Sequence, residues 1–175
     1  MKKILIMLAV LITILCGCSI KDVKINESEK YKEPLPESFS SELSVTQYSI
    51  ESKANLDYSV SGEACLTYSS PNIANGMNII RSASGVKVKY LGLNYENPYN
   101  ILPKSNVLAV IDGVWQELSV SDNYKAKVSA DSVIYEGTYN NAPFLLVRDK
   151  KTLSVISITV EAYDLNITFS EFNIT

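Results

Sequence analysis

The chain of 175 residues contains no histidine. That absence removes Ser-His-Asp and Cys-His nucleophilic catalysis, together with the common imidazole-bearing zinc sites. Side-chain chemistry would have to rest on serine, lysine or carboxylates. Cysteine is scarce too: the chain has only Cys16, Cys18 and Cys65, and a C-x-C pair supplies too few ligands for a structural metal. No metal ion and no cofactor are expected. Long apolar runs are missing. The stretch from Ile4 to Leu15 is interrupted by Gly17 and Ser19, well short of the roughly 20 apolar residues that cross a bilayer. Positive charge is not in excess either, and a formal net charge of -3 argues against a nucleic-acid partner. Seven glycines against eleven tyrosines, with many Val, Ile, Thr and Ser residues, tilt the composition toward β structure.

The N-terminal residues are organised as an address. Met1-Lys2-Lys3 leads an apolar segment whose only polar member is Thr13, the anatomy of a secretory signal. Leu15-Cys16-Gly17-Cys18 resembles the lipobox of bacterial lipoproteins. The resemblance implies cleavage between Gly17 and Cys18, a lipid on Cys18, and a mature protein exported and anchored to the outer face of the cell membrane. Cys16 would leave with residues 1–17, and loss of Lys2 and Lys3 takes the formal charge from -3 to -5. Residues 18–38 alternate charge signs and include Pro34-Leu35-Pro36, which reads as a flexible tether with a reach of about 25 Å. A single domain is expected over residues 39–175. Within it Cys65 lies on the more polar face of a strand, with Ser61, Glu63 and Thr67, while Val60, Ala64, Leu66 and Tyr68 share the other. As the one remaining thiol it is either a packed side chain or the partner of an intermolecular bridge, giving a homodimer.

Period-two runs separated by turn residues predict strands over residues 39–47, 50–58, 61–68, 76–82, 86–95, 123–130, 132–139, 143–149, 153–162 and 165–173. Turns are predicted at Ala83-Ser84-Gly85, Asn140-Asn141, Asp149-Lys150-Lys151 and Tyr163-Asp164, with a short helical turn from Ser70-Pro71 to Asn75-Gly76. One segment departs from this period. Val107, Leu108, Val110, Ile111, Val114, Trp115 and Leu118 recur at steps of three and four, predicting a helix that starts at Pro103 or Ser105. Asn106, Asp112, Gln116 and Ser119 lie on its other side. Gly113 costs such a helix about 1 kcal/mol relative to alanine, so close packing or a bend is expected there. A single amphipathic helix between two sets of strands needs a surface to cover. The expected fold is mainly β (α+β), an antiparallel half-open barrel wrapped around that helix. Leu108, Ile111, Trp115 and Leu118 would then be core, or would line a ligand cavity between helix and sheet.

The stretches LTYSSPNIANGMNII, GVKVKYLGLNYE, LLVRDKKTLSVISITV and LNITFSEF resemble the lipoprotein-carrier (LolA-like) fold, with Ile167, Phe169 and Phe172 as an apolar-x-apolar-x-Phe ending. The chain is also similar in size and lipobox to spore germination lipoproteins of Gram-positive endospore formers, which implies support of a cortex-modifying amidase. Three functions follow. One is a non-enzymatic envelope module that docks a protein partner, favoured because no polar constellation suits a lipid head group. Another is a carrier for an apolar ligand such as an acyl chain. The third is an enzyme, and it fares worst. Ser84-Gly85-Val86-Lys87, Ser121-Asp122-Asn123 and Lys151-Thr152 echo the motif order of penicillin-interacting serine enzymes, but residues three apart on a strand point to opposite faces. Asp57 with Glu63, and Asp131 with Glu136, are the carboxylate pairs that hairpins would oppose. No catalytic residue is assigned.

Overall fold

The computed structural model describes residues 34–99, 101–121 and 124–175. The expected signal segment, Gly17, Cys18 and the expected tether up to residue 33 lie outside the described residues, as do Asp122 and Asn123. Among those described, no helix is long and apolar enough to cross a membrane.

Six strands come first: β1 (Ser38–Gln47), β2 (Ile50–Ser59), β3 (Ala64–Ser70), β4 (Asn78–Ser82), β5 (Gly85–Tyr90) and β6 (Leu93–Asn97). Helix α1 (Val107–Val120) follows, and then β7 (Lys125–Val128), β8 (Ser132–Tyr139), β9 (Ala142–Asp149), β10 (Val155–Val160) and β11 (Leu165–Ile174). They form one eleven-stranded antiparallel sheet in the order β6-β5-β4-β3-β2-β1-β11-β10-β9-β8-β7. Each half is a meander, and β1 and β11 join the halves at the centre, with Val45 opposite Ile167. The two outermost strands, β6 and β7, are therefore the ones that flank α1 in sequence. The chain passes from one edge of the sheet to the other by laying its helix across the apolar face, and the result is the expected half-open barrel around one helix.

The core follows from strand parity. Phe39, Leu43 and Val45 of β1, Ala54, Leu56 and Tyr58 of β2, Phe144 and Leu146 of β9, and Leu165, Ile167 and Phe169 of β11 are buried on one face, with alternate residues facing out. The helix contributes Val107, Leu108, Val110, Ile111, Val114 and Trp115, and its backbone lies nearest β8. Trp115 stacks on Phe39 at 5.1 Å between ring centroids and donates its indole N–H to the Pro36 carbonyl at 3.1 Å. Leu35 also packs against the core, so ordered contacts begin just ahead of Phe39.

Several expectations are corrected. The helix is capped by Asn106, whose side-chain oxygen accepts from the Leu108 N–H at 3.0 Å, rather than by Ser105 or Pro103; the asparagine carbonyl satisfies a first-turn donor that proline and the earlier serine do not reach. The predicted strand over residues 86–95 is a hairpin of two strands. Its two-residue turn uses Leu91 (φ 49°) and Gly92 (φ 80°), the doubly positive geometry that matches strand twist. Leucine is a poor marker of that conformation. The third strand starts at Ala64 rather than residue 61, because Gly62 turns the chain under the Ser59 hydroxyl, leaving Val60 exposed. At the C-terminus Glu171 and Phe172 stand opposite Ser41 alone, and Glu171 has φ 51°. This bulge returns Phe172 to the core side, 4.7 Å from the Phe39 ring, and Ser41 donates to the carbonyl of Ser170 at 2.6 Å.

Gly113 is required for close approach. A β-carbon there would stand 2.1 Å from the Tyr139 ring, so α1 rests on β8 at a position where any side chain would have to displace that ring. Gly113→Ala gains helix propensity of about 1 kcal/mol but forces the ring aside, at a cost of roughly 1–3 kcal/mol for overpacking. Urea unfolding is expected to show a net loss of stability; a gain would mean that the ring moves freely.

Candidate functional site

Arginine occurs at only two positions, Arg81 and Arg148, and both are buried. Arg148 donates its Nε to the carbonyl of Leu153 at 2.8 Å, bracing the turn after β9. That turn is closed by Asp149, whose carboxylate accepts from the N–H groups of Lys151 and Thr152 and is held below its ordinary pKa by them.

Arg81 links sheet to helix. It sits on β4 opposite Val86, with the parity of Ile79, and so points into the core. Its Nε and Nη2 donate to the two carboxylate oxygens of Asp112 at 3.1 and 2.8 Å, while Nη1 and Nη2 also donate to the carbonyls of Gly62 and Ser59, each at 2.9 Å. Tyr58 donates its hydroxyl to Asp112 at 2.9 Å, and its ring lies 5.5 Å from the guanidinium carbon. The bidentate fork, two carbonyls and an aromatic face satisfy an arginine that is only 8 % exposed and that unpaired would be costly to bury. Four of the five guanidinium N–H groups and the Tyr58 hydroxyl are directed at protein acceptors, so the cluster clamps the middle of α1 to β2 and β4.

The open part of the site lies beyond this clamp. Directly opposed residues share a face, and β5 pairs with β6 through Tyr90 opposite Leu93, Val88 opposite Tyr95 and Val86 opposite Asn97. Val86 is buried in the core. Leu93 and Tyr95 therefore project from the same concave face, yet they are 74 % and 62 % exposed. The apolar floor runs continuously from Ile79 through Val88 to Tyr95, and α1, lying toward β8, leaves its outer end uncovered. Grooves of about 420 and 370 Å³ also indent the surface, one lined by Ser44, Thr46, Lys53 and Pro71 and the other by Pro143, Leu145, Thr159 and Ala162. Neither includes a residue of α1.

The sequence-predicted residues separate accordingly. Leu108, Ile111 and Trp115 are fully buried between helix and sheet, and Leu118 is half-buried beside them. Cys65 is half-buried on the outer face of β3, its sulfur 3.7 Å from the Thr67 hydroxyl. Ser84 bonds with Ser82 in the turn while Lys87 pairs with Glu96 at 3.1 Å, so the S-x-x-K residues do not meet. Asp57 stands opposite Cys65 rather than Glu63, and Glu136 bonds to Lys127 rather than facing Asp131. Among the described residues no group of acidic or thiol ligands could hold a metal. Arg81, Asp112 and Tyr58 were not singled out together by the sequence. The available signals were an arginine at a core-parity strand position and an aspartate within an apolar helix.

The phenol of Tyr58 is raised above its ordinary pKa of 10.0, first by burial and then by the adjacent Asp112 charge and hydrogen bond, with Arg81 opposing. Burial raises Tyr68 and Tyr139 likewise. Above about pH 10 the unfolded chain releases phenolic protons that the folded chain retains, so stability falls as pH rises. Urea titrations between roughly pH 9 and 11 should show this decline. Tyr58→Phe, which has no proton to release, should be less stable at neutral pH but should decline less steeply; parallel curves would remove Tyr58 from the effect.

No protein-family model matches the chain, and none of the curated proteins matches it in sequence. Solved structures do. An uncharacterized conserved protein of Thermus thermophilus superposes with a TM-score of 0.53 at 8% identity, over 81% of this chain and 80% of that one. This likeness establishes a shared fold. A LolA superfamily protein of Nitrosomonas europaea (TM-score 0.42, 10% identity, 81% and 88% covered) and a DUF1329 family protein of Desulfovibrio piger (0.42, 11%, 79% and 86%) are also similar.

Proposed function

We propose that the chain is a non-enzymatic binding protein of the cell envelope, held at a membrane by a lipid on Cys18, that receives an apolar chain such as a lipid acyl group. The observation that carries the ligand reading is the uncovered end of the concave face, where Val88, Tyr90, Leu93 and Tyr95 continue the core beyond the reach of α1. An apolar chain lying there would finish a floor the helix leaves open, and the tyrosines offer aromatic area with a polar tip. The buried helix residues serve this reading as a wall. Trp115 is closed off against Phe39 and Pro36, so this reading puts the ligand to one side of the helix.

Docking of a protein partner, including support of a cortex-modifying amidase, is the second reading. It is favoured by the exposed apolar side chains of Tyr48, Ile50 and Ile73 on turns at one rim, which suit contact with a folded surface.

The ligand reading is tested by titrating the full chain with a fluorescent fatty acid whose emission shifts blue in apolar surroundings. Wild type should bind, and Leu93→Glu should bind at least about tenfold more weakly, equivalent to ~1.4 kcal/mol, with little change in unfolding midpoint because the site is exposed. Equal binding by both proteins, or none by either, would sink it. The anchor has its own test: Cys18→Ser should move the protein from the membrane pellet to the soluble fraction, and an unchanged distribution would refute lipidation there.

A further inference from the structure

The two free edges of the sheet are unlike. At the β7 edge the strand reads Lys125-Ala126-Lys127-Val128, and edge lysines are a common guard against strand addition. The β6 edge is guarded less, its one charge being Glu96, which pairs with Lys87 of β5. Leu93-Asn94-Tyr95-Glu96-Asn97 contains no lysine, no proline and no bulge, and among the described residues its backbone partners are all on β5. It is also where exposed apolar side chains concentrate: Leu91, Leu93, Tyr95, Tyr99 and Ile101 lie on β6 or the residues flanking it. A row of unpaired backbone groups beside an exposed apolar patch is a template for another strand.

We infer that this edge pairs with the β6 edge of a second copy of the same chain, antiparallel about a two-fold axis at Tyr95. The strand is complementary to itself in that register, whereas the register centred on Asn94 overlaps only Leu93 to Tyr95. Centring on Tyr95 overlaps all five residues, placing Tyr95 against Tyr95 of the second copy, Leu93 against its Asn97, and Asn94 against its Glu96. All of these are pairs on a common face. Centring on Glu96 instead would oppose two carboxylates. Leu91 of each copy comes to the end of the ribbon where Tyr99 of the other lies, so the exposed apolar residues around β6 gain cover. Glu96 remains available at the junction, since its pairing with Lys87 is solvent-exposed on both sides. The paired edges make one continuous sheet of both copies and set the two open concave strips end to end. This pairing uses the backbone and both faces of β6, with Leu93, Tyr95 and Asn97 on the concave side and Asn94 and Glu96 on the outer side; it does not depend on a ligand, nor does it use Cys65, which lies three strands inward.

The test reads the sign of a charge effect at Asn94, an exposed outer-face residue away from the concave strip. The full chain in detergent is followed by sedimentation equilibrium. Wild type should show a monomer–dimer equilibrium. Asn94→Lys should tighten it by creating two symmetric pairs with Glu96, and Asn94→Glu should weaken it. Each change should be roughly 2- to 30-fold, from two cross-strand pairs of about 0.2–1 kcal/mol each. Cys65→Ser should change nothing. Monomer throughout, a dimer lost with Cys65→Ser, or weakening by both charges alike would overturn the inference; the last is the mark of an edge that accepts extended peptides in some other register.

Discussion

Pairing of the first strand with the last is the constraint on which the rest of this structure depends. Every other strand contact joins neighbours in sequence, so without the β1–β11 ladder the chain would be two separate meanders. With it, the connection between β6 and β7 must travel from one edge of an eleven-stranded sheet to the other. An amphipathic helix crossing the apolar face is a compact way to do that while burying both surfaces. The aromatic centre, in which the Phe39 ring meets those of Tyr58, Trp115, Phe169 and Phe172, gathers where β1, β2, β11 and the helix meet.

Much of this was legible in the sequence. The period-two runs locate the strands closely, and β8 was expected over the very residues it occupies. The three-and-four spacing from Val107 to Leu118 identifies the helix and its buried face. Missed features share a physical character: they are local departures that composition does not announce. A leucine in left-handed backbone hides the β5–β6 hairpin, and a one-residue bulge restores Phe172 to the core after parity would have turned it out. The clamp of Arg81, Asp112 and Tyr58 is invisible for another reason. Its members come from elements far apart in sequence and meet only once the helix is laid on the sheet.

The helix residues expected as core or cavity lining, Leu108, Ile111, Trp115 and Leu118, were legible from periodicity and lie in or against the core, while the uncovered strip on β5 and β6 was not singled out. Looking for a ligand cavity under Trp115 follows naturally from the helix periodicity, but that face is closed by stacked rings. What stays open is the edge the helix does not reach. The asymmetry has a simple source. Gly113 lets α1 settle against Tyr139 on the β8 side, and the Arg81 clamp on the other half reaches it from no further out than β4. With a helix drawn toward one half, the far strands of the other half keep their apolar side chains in water.

The central ladder also carries a consequence in time. Ser41 and Ser170, hydrogen-bonded across it, are 129 residues apart in the chain, and contacts of such separation are slow to form because a long loop must close first. As the chain is made from its N-terminus, β1 can pair with β2 early, but its other side waits for β11. Until β11 emerges, the half-built sheet presents an unpaired edge at what will become its middle, so closure of the sheet is deferred until all the other strands have been made.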